Sequence, residues 1–171
     1  TIFKLLQNRP IQWDAVTLLL EKHPEAAKRK DSMGRTPLHL ACLYDAPLEV
    51  VSLMLGIFPD ATKMKESDGL TPLHYACWRG ASLDIVSFLL SGWPDAVKEK
   101  GSFGLTPLHL ACKSEASFDT VSYLLSRWPD AIAEKDSDGF TPIHFAFHRK
   151  EKIDIMSLLL LARRYKEKEQ S

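Results

Sequence analysis

The chain has 171 residues with 22 basic and 22 acidic side chains, 45% hydrophobic and 26% charged residues, enough for one domain with a real core. That average composition excludes disordered, collagen-like and disulfide-scaffold classes, and a formal net charge of zero argues against a dedicated nucleic-acid binder, which carries a basic excess. The apolar runs fall far short of the ~20 residues that span a bilayer, and the N-terminus lacks the charged-apolar-small order of a signal peptide.

Self-similarity organises the rest. Gly34, Gly69, Gly104 and Gly139 stand 35 residues apart, each followed by X-Thr-Pro-X-His, in the copies GRTPLHLAC, GLTPLHYAC, GLTPLHLAC and GFTPIHFAF. In chain order, residues 1–33 keep only the second half of this unit: Trp13-Asp14-Ala15-Val16 and Leu18-Leu19-Leu20, then the exit His23-Pro24-Glu25-Ala26. Thr1-Ile2-Phe3-Lys4 has lost the Pro and His. Full units follow over 34–68, 69–103 and 104–138. Each opens with a Thr (Thr36, Thr71, Thr106) that accepts from an orphan amide, followed by a Pro that has no amide to leave orphaned. In unit 3 this predicts helix one over about 72–80. Helix two follows over about 83–91, where Leu83, Ile85, Val86, Phe88, Leu89 and Leu90 make a broad apolar face. Trp93-Pro94 ends helix two, because proline biases the preceding residue out of the helical region, and the segment 95–103 is expected to project as a turn. The last unit, 139–171, starts with Thr141-Pro142, but Arg163-Arg164-Tyr165-Lys166 stands where the Pro-Asp-Ala exit would be. Its stretch 163–169 reads as an amphiphilic continuation of helix two. No unit can bury its apolar face alone, so the five must stack, with atypical ends.

These residues resemble the ankyrin repeat: a turn, then Thr-Pro-Leu-His-X-Ala, then a second helix ending in Leu-Leu. The resemblance covers the whole chain and implies an all-α fold, an α-solenoid of stacked helix-turn-helix repeats with projecting turns, forming a single domain over 1–171. The period departs from the usual ~33 residues. One extra residue lies in the inter-helix loop near Ala46-Pro47 and another at the exit, where aromatic-Pro-Asp-Ala replaces Gly-Ala-Asp.

The residue types that carry chemistry fall into the repeat. Cys42, Cys77 and Cys112 recur at the 35-residue period. Equivalent positions on stacked helices lie ~8–10 Å apart, too far for a disulfide, and three sulfurs in a line hold no zinc. They read as buried reduced thiols, which suits a reducing compartment, cytoplasmic or otherwise intracellular. His39, His74, His109 and His144 occupy the first turn of helix one, where an imidazole can bond to the capping Thr and nearby backbone. His144 and His148 share a helix face, with no third ligand beside them. Asp84, Asp119 and Asp154 suit the dipole at the start of helix two, and Ser87, Ser122 and Ser157 read as small packing residues. Phe58, Trp93 and Trp128 read as plugs for the gap left by the extra exit residue. No nucleophile elbow, phosphate loop, dinucleotide fingerprint or zinc-protease helix is present, so the expectation is no catalytic residue, no cofactor and no metal.

Function is therefore sought where units differ on an accessible face. By the resemblance, a partner protein is bound through the turn tips and the outward side of helix one, which form a concave surface. Carried onto this chain, the turn positions include Arg35, Leu70, Phe103, Leu105 and Phe140. The helix-one positions include Leu43, Tyr44, Trp78, Arg79, Lys113, Ser114, His148 and Arg149. Aromatic residues and Arg are enriched at interface centres, and Trp78 stands out because Leu43, Lys113 and His148 fill its register elsewhere. Units 1 and 5 carry net +2 and +3, the middle three −2, 0 and −3. Basic ends around an acidic middle tune on-rate and specificity more than affinity. The expected function is a protein-interaction scaffold with no enzymatic activity of its own and no nucleic-acid partner. Thr1 is not an initiator Met and opens inside a degenerate unit. The alternative expectation is thus a regulatory or targeting segment of a longer protein, an enzyme, kinase or channel, whose partner is its own remaining chain. A structural subunit of a large assembly is the third.

Overall fold

A computed structural model describes residues 1–147 and 153–169. Among them the chain forms helix pairs and no strand: α1 (Ile2–Gln7) with α2 (Trp13–Lys22), α3 (Pro37–Leu43) with α4 (Leu48–Ile57), α5 (Pro72–Arg79) with α6 (Leu83–Gly92), α7 (Pro107–Lys113) with α8 (Phe118–Arg127), and α9 (Pro142–Phe147) with α10 (Ile153–Glu169). Each full unit's helix one begins at the expected proline. Thr36, Thr71 and Thr106 before it are extended, as a residue preceding proline must be. Helix two of units 3 and 4 is capped by Ser82, which accepts from the Ile85 amide at 3.5 Å, and Ser117, which accepts from the Thr120 amide at 3.1 Å. In unit 5, helix two runs on through Arg163 and Arg164 to Glu169 as expected, since no proline stops it.

The exits differ from expectation. After Phe58, Trp93 and Trp128 the chain does not project but winds into one tight 3-10 turn, Pro59–Lys63, Pro94–Lys98 and Pro129–Ala133, with Pro24–Lys28 in unit 1. Proline opens the turn, and the small apolar pair behind it (Ala96 and Val97 in unit 3) is buried against the core, so only residues 99–103 are left to form the protruding turn. The aromatic before each proline is half-buried and packed on the core, as its plug role requires. The hydroxyls of Ser87 and Ser157 turn back on their own helix and donate to the Asp84 and Ile153 carbonyls.

One continuous core threads the stack. In unit 3 it takes Leu73, Ala76 and Cys77 from helix one and Ile85, Val86, Leu89 and Leu90 from helix two. The three cysteines are buried and free. Burial pushes the Cys42 thiol up to about 12, so these sulfurs behave as small apolar groups. From unit 2 onward the first helices pack more closely on one another than the second helices do, the packing of a stack that curves toward its first helices and turns.

Two hydrogen-bond ladders hold the register between units. Each turn closes on itself (Glu66 N–H to Leu70 carbonyl, 3.1 Å; Gly101 N–H to Leu105 carbonyl, 3.0 Å), and each bonds to the turn before it. The amides of Ser67, Ser102 and Ser137 donate to the carbonyls of Met33, Asp68 and Phe103 at 2.9, 2.7 and 2.7 Å. The second ladder is the histidines. The Thr36 amide donates to His39 Nδ1 at 3.1 Å, and an amide can only donate, so Nδ1 is the bare nitrogen and Nε2 carries the proton. Nε2 then donates to the Leu70 carbonyl of the next unit at 3.2 Å. His74 and His109 repeat this with Leu105 and Phe140, at 3.2 and 3.1 Å.

Candidate partner-binding face

The inner face carries the first-helix ends and the turn tips. Its most distinctive feature is the end of α5. Trp78 sits one turn beyond Tyr75, ring centroids 6.2 Å apart, yet remains 48% exposed. Tyr75 is itself buried and lies edge-on to His39 at 5.6 Å, so the indole stands on a fixed base. Beside it, Trp78, Arg79, Lys113, Ser114 and Glu115 line a cleft of ≈ 450 Å³ between units 3 and 4.

The other expected contact residues divide by what they touch. Arg79 and Lys113 are exposed, and the Lys113 ammonium lies 5.9 Å from the Phe145 ring centroid. Phe103 and Phe140 protrude from the turns. Leu43, Leu70 and Leu105 are half-buried on the rim of the core, so they present an edge only. Tyr44 is half-buried and covered by the Arg9 guanidinium, 3.7 Å from its ring centroid. Arg35 is locked in a fork with Asp31, its Nε and Nη2 each 2.8 Å from Oδ2. Burial alone would push the Asp31 carboxyl up, but that fork and the Arg35 and Met33 amides hold it below the usual range. His148 and Arg149 lie outside the described residues.

Comparing the turns shows what periodicity hid. Asp31, Glu66 and Asp136 each accept two backbone amides of their own turn. Gly101, near the end of unit 3, stands in that place, where the Leu70 side chain fills the space a Cβ would need. Without the carboxylate the tip of that turn flips: Phe103 takes a left-handed φ of 60° and is 73% exposed. In unit 3, Leu70 stands where Arg35 stands in unit 2, and the second oxygen of buried Glu66 has no partner among the described residues. Gly80 and Glu115 were not singled out for contact by sequence reasoning, and Ser114, expected among the helix-one positions, is buried at the base of the cleft.

The fold and face define a class: a curved stack of helix-turn-helix units that presents variable side chains on an invariant frame. The family model described as ankyrin repeats (3 copies) matches residues 10–96 and 82–170, and the chain belongs to the ankyrin-repeat family. Ankyrin repeats are generally protein–protein interaction modules and typically non-enzymatic. No curated protein matches the chain. Among the described residues no helix is long and apolar enough to cross a membrane, and no group of His, Cys, Asp and Glu is placed to hold a metal ion.

Proposed function

We propose that the chain acts as a protein-interaction scaffold that grips its partner on the inner face, with Trp78 at the centre. The observation that supports this is the half-exposed indole beside a cleft, at a register the stack fills equally well with Leu43 or Lys113. A large rigid aromatic held partly in water, flanked by cations, has the composition of an interface centre. The buried reduced thiols suit a partner met in a reducing compartment. A second reading rests on the far end of the stack, where Phe147 is 70% exposed at the register of the buried cysteines. It makes the chain a segment docked through that end onto its own longer polypeptide or an assembly.

The test is affinity capture from native lysate with three folded baits: the chain itself, Trp78→Ala, and Phe118→Ala on the outer helix α8. Proteins lost with Trp78→Ala and kept with Phe118→Ala are expected. The opposite pattern places the partner on the outer face and overturns the assignment.

A further inference from the structure

We propose that the cleft between units 3 and 4 is a receptor for a single carboxylate side chain, an Asp or Glu flanked by apolar residues in a peptide segment of the partner. It rests on the reading of the inner face as the docking face and adds what that face selects.

The cleft is built, not incidental. Its two walls are the ends of α5 and α7, and they are tied together at the backbone. The Ser114 hydroxyl donates to the Cys77 carbonyl across the unit boundary at 2.6 Å and accepts from the Ala116 amide at 3.2 Å. Gly80, at φ 68°, lets the end of α5 approach so closely that a Cβ there would lie 2.9 Å from the Glu115 carbonyl carbon. These contacts hold the backbone of the two walls at a fixed separation, which lowers the cost of ordering the cleft on binding.

The chemistry of the walls names the ligand. Trp78 and Lys113 occupy the same register in successive units and line the cleft together with Arg79, the Lys113 ammonium lying 5.9 Å from the Phe145 ring centroid. Arg79 has no ion pair among the described residues. Glu115 is the one acid of the lining, and it already has an interaction of its own. Two cations against one anion leave one positive charge, which matches one carboxylate. The guanidinium suits it as a planar fork, and the ammonium as a point charge. The indole offers an apolar wall to the residue beside the acid. Unit 4 as a whole is net −3, so a polyacidic run is repelled at distance and the selection is local: one acid among apolar neighbours.

The experiment titrates the isotopically labelled chain with capped pentapeptides Gly-Leu-X-Leu-Gly, where X is Glu, Gln, Lys or phosphoserine. It follows the Trp78 indole N–H (assigned with Trp78→Phe) and the amides of Gly80 and Lys113. The Glu peptide is expected to shift these signals saturably at millimolar concentration and to bind about tenfold tighter than the Gln and Lys peptides. The Arg79→Glu, Lys113→Glu double variant, on the exposed surface, is expected to reverse the order of Glu and Lys. Equal binding of Gln or Lys, shifts elsewhere on the chain, or no shifts at all overturn the proposal. Phosphoserine binding far tighter than Glu overturns the carboxylate in favour of a phosphopeptide site. The two readings fail separately. Lysate capture lost with Trp78→Ala but kept by the double variant leaves the inner face standing and removes the carboxylate receptor. Capture kept by Trp78→Ala with the Glu peptide still bound does the reverse.

Discussion

At the scale of single residues, the histidine ladder makes stability depend on pH in a direction that can be worked out. Burial is the largest cause of the shift and holds His39 and His74 down to about 4 from 6.5; it lowers His109 as well. In the unfolded chain these imidazoles return to the ordinary value, so between pH 6.5 and about 4 the unfolded state binds more protons than the folded one. Stability is full above pH 6.5 and falls as pH drops through that window, by about 3 kcal/mol for each of His39 and His74. Urea unfolding at a series of pH values should show this loss, and His74→Gln should both lower stability at neutral pH by about 2 kcal/mol and flatten the slope. A slope unchanged in that variant would place the titration elsewhere. Phe103 makes the opposite kind of prediction. An aromatic at φ 60°, 73% exposed, buries little apolar surface, so Phe103→Asn, a residue that tolerates this backbone, should raise stability by about 0.5 kcal/mol. A loss of more than about 1 kcal/mol would mean that the ring packs in solution.

At the scale of elements, the capped helices were legible because their signals are local. Thr-Pro marks the start of each helix one, and the observed α5 and α6 end within one residue of the ranges read from periodicity. The exits were misread because Pro-Asp-Ala-Val carries a turn signal, and its apolar pair has a purpose only when the next unit covers it. The turn-to-turn ladder was invisible for another reason: its donors and acceptors are backbone groups common to every residue. Of the candidate face, Trp78, Arg79 and Lys113 were found by asking which registers vary. The cleft was not, since it depends on Ser114 and Gly80 closing the unit boundary. Glycine tests that closure. Gly139 has φ 82° but open space around its missing side chain, whereas Gly80 combines φ 68° with a backbone clash. Gly139→Ala should cost about 1 kcal/mol, the left-handed penalty alone, and Gly80→Ala about 2–4 kcal/mol. Denaturant titration of both variants separates the terms, and equal losses would show that the α5 end does not hold the boundary.

At the scale of the whole molecule, a stack owes its stability to nearest-neighbour interfaces, so the same side chain is worth different amounts along the array. Leu90 and Leu160 occupy one register of helix two. Leu90 is 1% exposed beneath unit 4, and Leu160 is 48% exposed where no described unit follows. Truncating Leu90 removes contacts on both sides and opens a cavity, so Leu90→Ala should cost about 2–5 kcal/mol. Leu160→Ala loses one-sided packing and gains helix propensity, for a cost below about 1 kcal/mol. Chemical unfolding of the two variants at low protein concentration reads the difference directly. The comparison also tests whether a second copy of the chain covers the end formed by Phe147 and Leu160, on which the docked-segment reading depends. If Leu160→Ala costs as much as Leu90→Ala, and the loss grows with protein concentration, that end is covered in solution by another copy of the chain. A small, concentration-independent cost leaves the end bare in the isolated chain, excludes a second copy as its cover, and leaves the lysate capture with Trp78→Ala to weigh the inner face against that end.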